Sequence, residues 1–168
     1  IETLHMSNDP EDYFETTGEF VAAMSENTSI KEVIFDKDFL ACSNAKERAS
    51  IVGTIGRLPN VESVILKDSL LMVGVCVKDL VNNAGSLKNL SVENCVLQGV
   101  PEHFDLLRES LSASSSIKTL HIHDCTAPNE KVDLDVVMGS LKGDLSIDIS
   151  GDGTSKQSSG VGGLPLRA

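Results

Sequence analysis

The sequence predicts an α/β solenoid in which parallel strands stack in register and short helices carry the chain back between them. Three observations carry that expectation. Five segments start alike, an apolar pair precedes each later start, and the step from pair to start is constant. The segments begin at Ile1, Ile30, Val61, Leu87 and Ile117, so their starts are 29, 31, 26 and 30 residues apart. Each has aliphatic or large apolar residues at its first, fourth and sixth places. The fourth and sixth alternate with a period of two, which gives a strand one apolar face.

The return element is legible from its spacing. Phe20 and Met24, Ile51 and Ile55, Val77 and Val81, and Leu107 and Leu111 each lie four apart, and the next segment starts six residues after the second member. An i,i+4 apolar pair is the inner stripe of a short helix. All 20 template places in these four units are apolar, against 40% across the chain, so the register stands above composition. The gap from the ninth place of a segment to the following helix pair varies as 11, 13, 8 and 12. The strand-to-helix side therefore absorbs insertions while the helix-to-strand side keeps the layers in register.

The segments resemble the leucine-rich repeat, L-x-x-L-x-L-x-x-N/C-x-L, over residues 1 to about 126. The repeat length and helical return look most like the ribonuclease-inhibitor-like class. The resemblance implies a horseshoe with a concave parallel sheet and convex helices. It also implies an inward ninth side chain that bonds the loop backbone. Here that place reads Asp9, Asp38, Ser69, Cys95 and Cys125, so the first two turns are expected to be irregular, because a buried carboxylate is costly unless hydrogen-bonded. The eleventh place is apolar in Leu40, Leu71, Leu97 and Ala127, and Glu11 breaks it in the first unit.

About six units are expected over residues 1–150, starting near 1, 30, 61, 87, 117 and 142. Val137 and Leu141 form the next helix pair, and Leu145, Ile147 and Ile149 alternate as a closing strand. Residues 151–168 turn Gly- and Ser-rich and read as a disordered tail or a linker. The chain opens on Ile1 in mid-pattern and reads as a piece of a longer array. The low aromatic content of 4% suits thin layers filled by Leu, Ile and Val. Cys42, Cys76, Cys95 and Cys125 have no zinc spacing, and scattered thiols fit a reducing, cytoplasmic setting. Cys95 and Cys125 are read as stacked reduced thiols. The sequons at Asn27 and Asn89 are read as chance.

Charge narrows the partner. The net charge of −11 argues against nucleic acid and anionic membrane surfaces, both of which need a basic face. The longest apolar run, Leu70 to Val77, is too short to span a bilayer. Residues 1–26 carry seven acids and no Lys or Arg, which places much of the acidity on the first unit's outer edge. On strands of this kind the second, third, fifth, seventh and eighth places face outward. Across five segments they hold five Lys and seven acids, a nearly balanced face.

The candidate contact residues follow from those places: Glu32, Ile34, Asp36, Ile65, Lys67, Glu93, His121 and His123. Ile34 and Ile65 share the fifth place of adjacent strands, about 4.8 Å apart, and form an apolar pair ringed by Glu32, Asp36 and Lys67. His121 and His123 point outward together, with Glu93 at the matching place beside His123. Ordinary polar surface, a pH-sensitive contact and a weak metal site are all readings of that trio, polar surface being the first choice. No metal or cofactor is expected. GxSxG, P-loop and HExxH signatures are missing, so the chain is not read as an enzyme. The expected function is recognition of a protein partner across the concave face, with no chemistry. The alternatives are regulation of an enzyme, such as GTPase activation, and a structural spacer within a larger sensor or ubiquitin-ligase adaptor.

Overall fold

The computed structural model describes residues 2–7, 27–39, 45–83, 85–139 and 146–150. The fold is α/β. In chain order the elements are β1 (Thr3–Ser7), β2 (Glu32–Asp36), α1 (Ala45–Arg57), β3 (Ser63–Lys67), β4 (Leu70–Met72), a π-helical turn (Val73–Val77), α2 (Lys78–Asn83), β5 (Asn89–Glu93), β6 (Val96–Gln98), α3 (Pro101–Ala113), β7 (Thr119–His123), α4 (Leu134–Gly139) and β8 (Ser146–Ser150). Six strands form one sheet in the order β1-β2-β3-β5-β7-β8, and every pairing is parallel. Parallel neighbours need a crossover between them, which the helices supply where they are described.

The register is that of the sequence alignment. Leu4 pairs with Val33, Val33 with Val64, Val64 with Leu90, and Leu90 with Leu120. The closing strand continues it, with Ile147 beside Leu120 and Ile149 beside Ile122. The second-place carbonyl of each unit accepts the next unit's second and third N–H groups. Glu2 O takes Lys31 and Glu32, Lys31 O takes Glu62 and Ser63, Glu62 O takes Lys88 and Asn89, and Lys88 O takes Lys118 and Thr119. These links hold neighbouring units together before the strands begin.

The fourth and sixth places form the sheet's buried face. Val33, Phe35, Val64, Leu66, Leu90, Val92, Leu120 and Ile122 join one core with the first-place residues Ile30, Val61, Leu87 and Ile117. The helices close it from the other side. Ile51 and Ile55 of α1, Val81 of α2, and Leu107 and Leu111 of α3 are buried, as is Val77 at the end of the π turn. Pro101 opens α3, where its fixed φ suits the first turn and its missing N–H costs nothing. Asp133 Oδ1 accepts the N–H groups of Asp135 (3.0 Å) and Val136 (3.3 Å) and so caps α4.

Two of the steps into a strand have a visible local cause. Asn27 Oδ1 accepts the N–H of Ile30 at 2.9 Å, and Ser114 Oγ accepts that of Ile117 at 3.2 Å, each from three residues earlier. Ser86 Oγ lies 3.0 Å from Leu58 O and 2.9 Å from Val61 O, and so ties one turn to the next. The variable side holds two features beyond the sequence reading. β4 and β6 pair as a second small parallel sheet, extended by a bridge from Val96 to Thr126. In the unit with the shortest gap, the π turn replaces the start of a regular helix. His103 lies against it so closely that a Cβ at Gly74 would sit 3.0 Å from the imidazole.

No helix among the described residues is long and apolar enough to cross a membrane. Phe20, Met24, Leu40, Leu141, Leu145, the acids of residues 8–26 and the 151–168 tail lie outside the described residues.

Candidate functional site: the outward face of the sheet

The face opposite the core is built from rows, because parallel in-register strands place equivalent residues side by side. The fifth-place row runs His5, Ile34, Ile65, Ser91, His121 and Asp148 by backbone register. Ile34 and Ile65 are direct partners, and both stay half-exposed although they flank fully buried residues. On one side of them lie Glu32 and Ser63, half-exposed in the third-place row, and on the other Lys67, half-exposed in the seventh. Lys67 in turn pairs with Glu93. The structure therefore brings Glu32, Ile34, Ile65, Lys67 and Glu93 onto one continuous surface.

Asp36 departs from the expectation of an exposed rim. Its side chain is only 6% exposed, and its Oδ2 lies 3.0 Å from His5 Nε2. Its Oδ1 is buried and has no hydrogen-bond partner among the described residues. Ser7, its register partner, is buried as well. The outward seventh place is thus closed off at the β1–β2 end and opens only from Lys67 onward. His5 belongs with Asp36 at this end, far from the other histidines along the row.

At the opposite end, Glu93 and His123 are register partners, as the spacing predicts. Each also has a short contact with another residue. Ser91 Oγ donates to Glu93 Oε2 at 3.0 Å, and His123 Nε2 lies 3.1 Å from Asp124 Oδ2. His121 is exposed beside Ser91. No group of three or more metal-ligating side chains converges among the described residues.

The second-place row carries alternating charge. Lys31 Nζ meets Glu2 Oε1 at 2.9 Å, and Lys88 Nζ meets Glu62 Oε1 at 3.2 Å. The hydrogen bond and charge of Lys31 hold the Glu2 carboxyl below its ordinary range, and Glu2 raises Lys31 in return. Both groups are in solvent, so the pair orders the edge more than it stabilises the fold.

The turns after the strands also show what sequence reading missed. The eighth place has positive φ in every described unit, at Lys37 (50°), Asp68 (49°), Asn94 (51°) and Asp124 (53°). Asp and Asn tolerate this left-handed conformation better than most residues, so their recurrence at that place was an available signal. Lys37 lacks that aptitude, and the next residue, Asp38, is left-handed too at 59°. Asp38 is exposed rather than inward, and its Oδ1 accepts the N–H of Leu70 at 2.7 Å. The turn of the second unit is irregular, as expected, and its ninth side chain has left the interior.

The later ninth places behave as the resemblance implies. Ser69 Oγ donates to Lys67 O at 2.7 Å. Cys95 Sγ reaches Glu93 O at 3.2 Å and Leu66 O at 3.4 Å, and Cys125 Sγ reaches His123 O at 3.4 Å and Val92 O at 3.3 Å. Both thiols are buried and free. Hydrogen bonding to Cys125, reinforced by burial, pushes the Cys95 thiol far up, so it stays protonated as a donor. Leu71 and Leu97 of the eleventh place are buried, while their neighbours Leu70, Met72 and Val96 on the small sheet remain exposed.

No family model, no curated protein and no solved structure matches the chain.

Proposed function

We propose that the chain is a leucine-rich-repeat solenoid of the ribonuclease-inhibitor-like kind, and that it recognises a protein partner through the outward, concave face of its sheet. The observation that carries the reading is the Ile34–Ile65 pair. Two aliphatic side chains sit in register at the centre of a polar row, half-exposed and flanked by Glu32 and Lys67. An apolar centre within a charged rim is the usual anatomy of a protein contact. The mechanism is complementarity on a rigid scaffold: the core fixes the strands, and the strands fix the spacing of the outward side chains.

The repeat of register, the paired carbonyl acceptors and the buried ninth-place donors support the solenoid reading. The test is affinity capture with the 168-residue chain and with Ile34→Asp/Ile65→Asp. The expected result is a protein recovered by the parent chain and lost from the double variant, with unchanged circular dichroism. Equal recovery by both would overturn the assignment of the face.

A further inference from the structure

The helix-to-strand turns of three consecutive units frame a groove of about 420 Å³ at the edge of the sheet where the strands begin. This volume is in the range of ligand-sized sites. Its lining includes Glu62, Lys88 and Lys118, together with Ser115 and Ser116 of the last turn. The three charged residues are consecutive members of the second-place row. In that row Glu2 pairs with Lys31, and Glu62 with Lys88. Lys118 comes next and repeats the positive sign instead of restoring the alternation. Its Nζ donates to Ser115 O at 3.2 Å, and no acid lies within ion-pair distance of it among the described residues. In a chain of net charge −11, this groove carries a positive excess.

The chemistry of the lining selects the ligand. Lys88 and Lys118 sit on adjacent units, joined by the Lys118 N–H to Lys88 O bond of 2.7 Å, so their stems start about 5 Å apart. Two ammonium groups at that spacing can each take one oxygen of a single carboxylate. With Glu62 in the lining, the local excess is one positive charge, which matches a monoanion and leaves a phosphate dianion half uncompensated. Ser115 is exposed on the last turn and offers a further donor. The chain's distant acids are screened beyond about 8 Å at physiological ionic strength, so the groove's own charges dominate at contact.

We infer that this groove binds a carboxylate, presented as an Asp or Glu side chain on an extended segment of a partner protein, with Lys88 and Lys118 as its cationic contacts. The site is separate from the Ile34–Ile65 pair, and it rests on the proposed function only in taking the partner to be a protein.

The test is a nitrogen-15 NMR titration of the whole chain with the peptide acetyl-Gly-Ser-Glu-Ser-Gly-amide. The Gln analogue and inorganic phosphate are titrated in parallel. The expected result is a saturable shift of the Gly85, Ser115, Ser116 and Lys118 amides with the Glu peptide only. Lys118→Ala breaks no ion pair among the described residues and should weaken this binding at least tenfold, and Lys118→Glu should abolish it. Ile34→Asp/Ile65→Asp should leave it intact, which separates this site from the sheet face. Silence at these amides, equal shifts with the Gln peptide, or a response to phosphate in place of the Glu peptide would each overturn the inference.

Discussion

The two halves of the outward face are built on one register and differ in almost every other respect. Around β2 and β3 the fifth-place row is Ile34 and Ile65, the seventh place is closed at Asp36, which is buried beside the exposed His5, and the turn of the second unit holds two left-handed residues. Around β5 and β7 the same row is Ser91 and His121, the seventh place is open, and the turns are regular over Cys95 and Cys125. The inward places are nearly interchangeable between the halves, whereas the outward ones are not. Packing constrains the first set and leaves the second free to vary.

The largest expected effect tests that division within the sheet. Leu90 is 1% exposed, and truncation to Ala should cost about 2–5 kcal/mol through lost transfer energy and a cavity. Ile65→Ala on the neighbouring strand should cost below about 1 kcal/mol, because the side chain is already half in solvent. Urea denaturation of the two variants measures the contrast. A large loss at both sites would mean that the outward row is structural as well.

The regular half depends on its ninth-place donors. Cys95→Ala removes the thiol that donates to Leu66 O and Glu93 O, although Glu93 O keeps the Asp68 N–H, and should cost about 1–3 kcal/mol. Cys95→Ser keeps a hydroxyl donor and should cost less. The irregular half offers the converse. Lys37→Gly removes a left-handed lysine and should stabilise by about 1 kcal/mol, whereas Asn94→Gly should be near neutral or slightly unfavourable, because Asn94 Nδ2 also donates to Asp68 Oδ1 at 2.8 Å. Thermal melts of the two glycine variants would reverse the assignment of strain if Asn94→Gly gained more.

The smallest effect is electrostatic and lies beyond both halves. Burial, and then the charge of Asp133, raise the Asp135 carboxyl above its ordinary range. A raised carboxyl binds its proton more readily in the folded state than in the unfolded one. Its cost is therefore present near neutrality and disappears as pH falls through the carboxylate range. Asp135→Asn should melt slightly higher than the parent at pH 7, with the difference shrinking toward pH 4.

The strands, their parallel order and the core were legible because they obey one spacing rule. Val33 and Phe35, Val64 and Leu66, Leu90 and Val92 repeat the same apolar alternation, and a buried face tolerates little else. The variable side was not legible. The β4–β6 pairing joins segments of different units, and the π turn at Val73–Val77 packs against His103 of the next unit's helix, which no single segment encodes. Asp36 was misplaced because the outward rule treats all seventh places alike. The burial of Ser7 and the approach of His5 are tertiary facts. The eighth-place turn could have been found from Asp68, Asn94 and Asp124.

The most direct measurement is a quantitative comparison of partner recovery between variants of the two halves. Ile34→Asp/Ile65→Asp breaks the apolar centre, and Ser91→Asp/His121→Asp adds equal charge to the polar half of the same row. Both pairs are solvent-facing and should leave the fold intact by circular dichroism. A protein captured by the parent chain should be lost from the isoleucine variant and retained by the other. Retention by the isoleucine variant, with loss from the Ser91/His121 variant, would contradict the assignment of the face.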